Sequence, residues 1–206
     1  MLKVWGRRNS INVMKVLWTC DELALPFERI DAGLQFGVID TPEYAALNPD
    51  RKIPAIDDDG FRLAESNTIV RYLAAREGRT DLLPTDARQR ARVEQWMDWA
   101  SFSLSAGMAP LFKQLVRTAE ADRDPALIAA SQAESERCMR ILDAQLAEQP
   151  YLAGEQFSVA DMPAAAFLHR WQELPIERPA LPALQAYYQR MLARPAYRKH
   201  ASVLMS

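Results

Sequence analysis

Three short segments of this 206-residue chain bring together residue types suited to holding a small peptide. In Lys52-Ile53-Pro54 a proline enters a predicted strand. Proline donates no backbone N–H and is rare at the start of a central strand. The Ile53–Pro54 bond is therefore a candidate cis peptide. Such a bond turns the Ile53 backbone outward, where its N–H and C=O can serve an extended ligand, as in strand addition. Glu65-Ser66 opens a predicted helix. Ser66 is a good N-cap, and the N–H groups at a helix start attract a carboxylate. A free backbone edge beside an anion-binding helix start suits a small peptide carrying a carboxylate. The third segment, Ser10-Ile11-Asn12, offers a hydroxyl and an amide just ahead of a predicted helix. Donors of this kind at the positive end of a helix favour an anion such as a thiolate.

Positioning these residues takes a small α/β unit. Residues 2–5 read as a buried strand. Residues 12–23 read as a helix with an apolar stripe at Val13, Val16, Leu17 and Cys20. Residues 25–30 form a second strand, and residues 41–48 a short helix begun by Thr41-Pro42. A hairpin follows around Asp58-Asp59-Gly60, then a helix over 66–75. After a linker at 77–85 with Gly78 and Pro84, nearly everything reads as helix. The expected helices cover 86–115 (bent near Gly107 and Pro110), 125–147, 158–174, 181–193 and 196–200. The expected fold is thus α/β plus all-α, divided into residues 1–78 and 86–206.

Composition narrows the function classes. The chain is 49% apolar and 25% charged, with a formal net charge of −2, so it carries no nucleic-acid or membrane footprint. No apolar run approaches the roughly 18 residues of a spanning helix. Met1 leads directly into the first strand without a signal-peptide pattern. The two cysteines, Cys20 and Cys138, lie far apart in helical patterns, which fits a reducing cytoplasm. The two histidines, His169 and His200, show no metal-ligand spacing, and no metal is expected.

The stretch from Asn48 to Leu73 closely resembles the glutathione-binding half of the cytosolic glutathione transferases. Their pattern is Asn-Pro-x-Gly-Lys-Val/Ile-Pro, a hairpin, then Glu-Ser-x-x-Ile-x-x-Tyr-Leu. The chain matches it at Asn48, Pro49, Lys52, Ile53, Pro54, Glu65, Ser66, Ile69, Tyr72 and Leu73. It departs at Arg51, where the family has a glycine that adopts positive φ cheaply. The resemblance extends over essentially the whole chain. It implies a thioredoxin-like N-terminal domain that binds glutathione, then an all-helical C-terminal domain contributing the pocket for a small apolar electrophile. It also implies that Glu65 pairs with the γ-glutamyl ammonium and Ser66 with its carboxylate. Ile53 would pair backbone to backbone with the cysteinyl unit, and Lys52 would sit near the glycyl carboxylate.

Glutathione serves such enzymes as co-substrate, and its thiol must ionise. The loop from 7 to 16 has neither tyrosine nor cysteine, so Ser10, Asn12 or a backbone N–H at the helix start is left to stabilise the thiolate. The Ser-x-Asn arrangement is similar to serine-type and nu-class-like bacterial chains. Attack on an electrophilic carbon, or on a disulfide or peroxide, is the expected chemistry. A non-catalytic glutathione-binding or regulatory protein on the same scaffold is the alternative. A homodimer is expected, with an apolar patch around Phe61, Ile69 and the Trp96 helix.

Other notable residues have structural explanations. Ser158-Val-Ala-Asp161 is a capping box at a helix start, a folding motif rather than a ligand site. Cys20 and Cys138 read as inert core, and His169 as a structural histidine. Trp96, Trp99 and Phe102 fit core packing. Met108 and Phe112 are candidates for lining the electrophile pocket.

Overall fold

The structure is a computed structural model and describes residues 1–202. Its elements run β1 (Leu2–Trp5), α1 (Ile11–Glu22), β2 (Phe27–Ile30), α2 (Pro42–Leu47), β3 (Ala55–Asp58), β4 (Phe61–Ala64) and α3 (Ser66–Arg76). Then follow α4 (Ala87–Trp99), α5 (Ser105–Phe112), α6 (Pro125–Glu148), α7 (Asp161–Glu173), α8 (Pro182–Leu192) and α9 (Pro195–His200). Two compact units result: Met1–Thr80 joined by α9, and Asp81–Arg194.

The first unit is built on a four-stranded sheet in the order β2-β1-β3-β4. β1 pairs parallel with β2, while β1–β3 and β3–β4 are antiparallel. Side chains alternate across the pleat. Leu2, Val4 and Ile56 face α1 and α3, where Val13, Val16, Leu17, Cys20, Ile69 and Leu73 complete a closed core. Trp5 and Ala55 face the opposite side, against Tyr44 and Leu47 of α2. This is the thioredoxin-like arrangement. The stripe on α1 falls where its spacing placed it. Burial pushes the Cys20 thiol up to about 12, which leaves it inert.

The last helix departs from the division at 86–206, because α9 packs on α1 of the first unit. Tyr197 meets Trp18 edge-on at 5.0 Å. His200 Nε2 lies 2.8 Å from Asp21 Oδ2, which also takes Lys199 Nζ at 2.6 Å. Ile69 is fully buried in the core, so it belongs to no exposed patch. Phe61 is 50% exposed and leans on Tyr72 at 5.0 Å.

The second unit is helical. The expected single helix over 86–115 is a rod interrupted by two wide π-type turns, at Ala100–Leu104 and Lys113–Arg117. Pro110 lies within α5 and has no N–H to give its preceding turn. Gly107 sits where α5 crosses α6. A β-carbon there would lie 2.8 Å from both the backbone N and the Oγ of Ser135. Met108 and Phe112 are buried, and the Arg170 guanidinium lies over the Phe112 ring at 4.0 Å. α7 begins at Asp161, three residues after Ser158. The fully buried Asp161 carboxylate accepts from Ser158 N (2.9 Å), Leu152 N (3.0 Å) and Tyr187 Oη (3.0 Å). His169 Nδ1 pairs with Tyr188 Oη at 2.8 Å inside the same unit.

Candidate functional site

The register of the sheet gathers the three segments. Trp5 of β1 pairs with Ala55 of β3, and Ala55 pairs with Ala64 of β4. The loop after Trp5 leads to Ser10, the residues before Ala55 are Ile53-Pro54, and the residues after Ala64 are Glu65-Ser66. All three therefore leave the sheet at the same end. Ile53 approaches the first loop so closely that a β-carbon on Gly6 would lie 3.4 Å from its Cβ. That β-carbon would also lie 2.4 Å from Val13 Cγ2, so glycine is required at position 6, where φ is 151.

Ser10 occupies the N-cap position of α1 with extended backbone, φ −80 and ψ 123, and is buried. Its hydroxyl makes no capping hydrogen bond, so the simple explanation of Ser10 as a side-chain cap fails. No acidic residue lies in the first turn of α1, which leaves the positive end of that helix unneutralised. Asn12, the second residue of the helix, is exposed. The loop is braced by Gly6 N to Ile30 O (2.8 Å), Arg7 N to Ala32 O (3.1 Å) and Arg29 Nη1 to Gly6 O (3.0 Å).

The second segment is held by its neighbours. The Ile53–Pro54 bond is cis. Ile53 precedes the first laddered residue of β3 and is half-buried, while Pro54 is buried. The carbonyl of Lys52 accepts from Tyr44 Oη (2.8 Å) and Asn48 Nδ2 (2.7 Å), and Asn48 Oδ1 accepts from Asp50 N (3.1 Å). Asn48 and Tyr44 thus fix the strand entry. Asn48 stood in the sequence motif without a role, and Tyr44 gave no signal. Arg51 adopts φ 53, the backbone for which the family pattern carries glycine. Its guanidinium lies 3.9 Å from Asp40, not in the turn. Lys52 is exposed, and its ammonium is held above its ordinary range by the Asp50 carboxylate at 2.8 Å and, more weakly, by Glu65.

At the third segment one expectation needs correcting. Glu65, not Ser66, holds the N-cap position of α3; Ser66 is the first helical residue and is buried. The backbone continues from β4 straight into the helix, so the bend is taken up at Glu65, with φ 66 and ψ 107. A non-glycine residue in that region is strained, and such residues concentrate at ligand sites. The exposed Glu65 carboxylate makes no capping bond. The first N–H groups of α3, starting at Ser66, have no acceptors within the helix. Among the described residues no cluster of three or more His, Cys, Asp or Glu is placed to hold a metal.

Sequence reasoning passed over one buried group beside this segment, Lys15. It is 3% exposed, on the second turn of α1, and donates to Asn67 Oδ1 at 2.8 Å. Burial pulls its ammonium down to about 7; Glu65 acts to raise it and Arg71 to lower it further.

The arrangement defines a thioredoxin-like domain whose sheet end presents a backbone edge, a helix start and a hydroxyl, followed in the chain by an all-helical domain. The sequence profile described as the N-terminal domain of glutathione S-transferase matches residues 1–75, and that of the C-terminal domain matches residues 100–195. The chain belongs to the glutathione S-transferase family. It is 40% identical over 208 residues, spanning 100% of both chains, to the glutathione S-transferase GstB of Escherichia coli K12. A crystal structure of a theta class glutathione S-transferase from Xanthomonas axonopodis pv. citri with glutathione bound superposes with a TM-score of 0.96. It is 44% identical, covering 100% of this chain and 99% of that one. The disulfide-bond oxidoreductase YfcG of E. coli K12 is 30% identical over 90% of this chain and 87% of its own.

Proposed function

We propose that this chain is a glutathione transferase that binds glutathione along the sheet end, holds its sulfur as thiolate, and directs it at a small apolar electrophile. The observation that carries this is the convergence of Ser10, Ile53-Pro54 and Glu65-Ser66 at one end of the sheet through the Trp5–Ala55–Ala64 register. Glu65 receives the γ-glutamyl ammonium, and Ser66 and the start of α3 its carboxylate. The Ile53 backbone meets the cysteinyl unit, and Lys52 serves the glycyl carboxylate. Ser10 donates to the sulfur, since its buried hydroxyl is not used for capping. Asn12 is the second donor. The helical domain, 86–206 by sequence, contributes the electrophile pocket. The protein acts in the cytoplasm as a homodimer whose contact includes the exposed Phe61. Calorimetric titration with glutathione tests the core of the proposal. No heat at millimolar glutathione refutes it, and a clean monomer in sedimentation at micromolar concentration refutes the dimer.

The donor assignment has its own test. A hydrogen bond to a charged acceptor contributes about 1.5–3 kcal/mol, equivalent to about 1–2 pKa units on the bound thiol. Ser10→Ala therefore moves the ultraviolet thiolate titration of bound glutathione, and the acid limb of the pH–rate profile, up by about that much. Unchanged midpoints in Ser10→Ala, Asn12→Ala and the double variant leave the helix start alone as the stabiliser. Disulfide reduction by the same thiolate is a second activity, favoured by the similarity to YfcG. It is tested by comparing turnover of a mixed disulfide with that of an aryl halide.

A further inference from the structure

The Lys52–Ile53 peptide is tied down at one end and open at the other. Its carbonyl accepts from Tyr44 Oη at 2.8 Å and from Asn48 Nδ2 at 2.7 Å. A carbonyl oxygen has two lone pairs, so these two donors use it fully. The direction of each bond is fixed by its neighbours. A carbonyl cannot donate, and Asn48 Oδ1 already accepts from Asp50 N at 3.1 Å, which turns the amide nitrogen toward Lys52. Ile53–Pro54 is the only cis peptide among the described residues, so Lys52–Ile53 is trans. In a trans peptide the C=O and N–H point to opposite sides within one rigid plane. With the carbonyl drawn toward α2, the Ile53 N–H is aimed the other way, and it meets no acceptor among the described residues. Building on the proposed function, we infer that Tyr44 is a positioning residue. Its hydroxyl, with Asn48, fixes the plane of the Lys52–Ile53 peptide so that the Ile53 N–H is presented to the cysteinyl carbonyl of glutathione.

The surroundings of Tyr44 suit it to this role. The residue is 2% exposed and shares a core cluster with Ala32, Ala55 and Trp5, so its hydroxyl reaches Lys52 from a fixed point. Burial pushes the Tyr44 phenol up to about 12, so it keeps its proton and donates throughout the neutral range. The bond also polarises the peptide. Hydrogen bonds in a chain strengthen one another by roughly 10–30% each, so donors on the Lys52 carbonyl make the Ile53 N–H a stronger donor to a ligand. The Ile53 side chain is anchored separately. A β-carbon on Gly33 would lie 3.1 Å from Ile53 Cδ1, and one on Gly6 would lie 3.4 Å from Ile53 Cβ. With the side chain anchored, the freedom left to the peptide is rotation of its plane, and that is what Tyr44 and Asn48 remove.

The experiment compares two ligands on two proteins by calorimetric titration. One ligand is glutathione. The other is its trans-alkene isostere, in which CH=CH replaces the cysteinyl–glycyl amide, so that the shape is kept and the carbonyl is lost. The unmutated chain should bind the isostere about five- to tenfold more weakly, within the range for one lost neutral hydrogen bond. Tyr44→Phe keeps the ring in its cluster and removes only the hydroxyl. With Asn48 left as the single donor, it should weaken glutathione about two- to fivefold and leave the isostere unchanged, a coupling that a general disturbance of the site would not produce. Equal weakening of both ligands by Tyr44→Phe, or weakening of neither, overturns the inference and leaves the proposed function standing. Equal binding of the two ligands by the unmutated chain overturns it too, and with it the Ile53 contact. A phenylalanine variant too unstable to fold also overturns it, because the hydroxyl would then serve the fold rather than the ligand. No binding of glutathione by the unmutated chain at millimolar concentration overturns both the inference and the proposed function.

Discussion

Replacing Glu65 by glycine separates what its backbone costs from what its carboxylate does. Its φ of 66 and ψ of 107 lie outside the compact left-handed basin, which is centred at a smaller ψ. A non-glycine residue held there stores about 1–3 kcal/mol. Glycine releases that strain but frees the unfolded chain, which costs about 0.4–1 kcal/mol. The net expectation for Glu65→Gly is about 1 kcal/mol of added stability, a rise of about 2–4 °C in thermal midpoint for a chain of this size. The same change removes the carboxylate that would meet the γ-glutamyl ammonium. For an exposed site that loss is about 1–2 kcal/mol, roughly five- to thirtyfold in Kd. Glu65→Ala is the control, since it loses the carboxylate and keeps the β-carbon. Both variants withdraw the same support from Lys15, so that effect cancels between them. Differential scanning fluorimetry should rank glycine above alanine in stability, while calorimetry should find the two equally weakened for glutathione. Equal thermal midpoints would show that position 65 stores no more strain than the roughly 0.4–1 kcal/mol that the freer unfolded chain of the glycine variant costs. Equal affinities of all three proteins would remove Glu65 from the γ-glutamyl subsite.

Gly107→Ala should destabilise by about 1–2 kcal/mol in urea unfolding. The gain of about 1 kcal/mol in helix propensity is outweighed by a β-carbon at 2.8 Å from the Ser135 backbone; a stabilised variant would refute the close approach of α5 and α6. Asp161→Ala leaves three buried donors without their acceptor and should cost about 3 kcal/mol or more, read as a lower denaturation midpoint. Lys15, brought down to about 7 from 10.5, contributes stability that is present above about pH 10.5 and is lost as pH falls through about 7. Lys15→Met should therefore be the more stable protein at pH 6 by up to about 5 kcal/mol, with the difference closing as pH rises toward 10. Arg51→Gly should raise stability by up to about 1 kcal/mol, because it relaxes φ 53 and gives up only an exposed 3.9 Å ion pair.

The fold was legible because its signals are local. The stripe on α1, Thr41-Pro42 opening α2 and the turn at Asp59-Gly60 each need only a few neighbours in sequence. The candidate site was legible in part, through Lys52-Ile53-Pro54 and Glu65-Ser66, whose residue types carry backbone consequences. What escaped was set by distant packing. Lys15 sits between Met14 and Val16 and reads as an ordinary helix lysine; its partner, Asn67, lies 52 residues away. The capping role passed from Ser66 to Glu65 because β4 feeds the helix without a loop, a constraint that propensity does not register. Ile69 shares its helix with Tyr72, but only the fold shows that it points into the core. The π-type turns flanking α5 likewise leave no mark in the apolar spacing.

The placement of α9 bears on how the protein is made. Trp18 and Asp21 on α1 are covered by Tyr197 and His200, with 179 residues separating Asp21 from His200. During translation the first unit therefore keeps one flank of its first helix open until the helical unit between Asp81 and Arg194 has been made. A fragment ending at Thr80 would keep Ser10, Ile53 and Glu65 but leave Trp18 uncovered. Losing α9 would disturb a candidate site whose residues all lie within the first seventy.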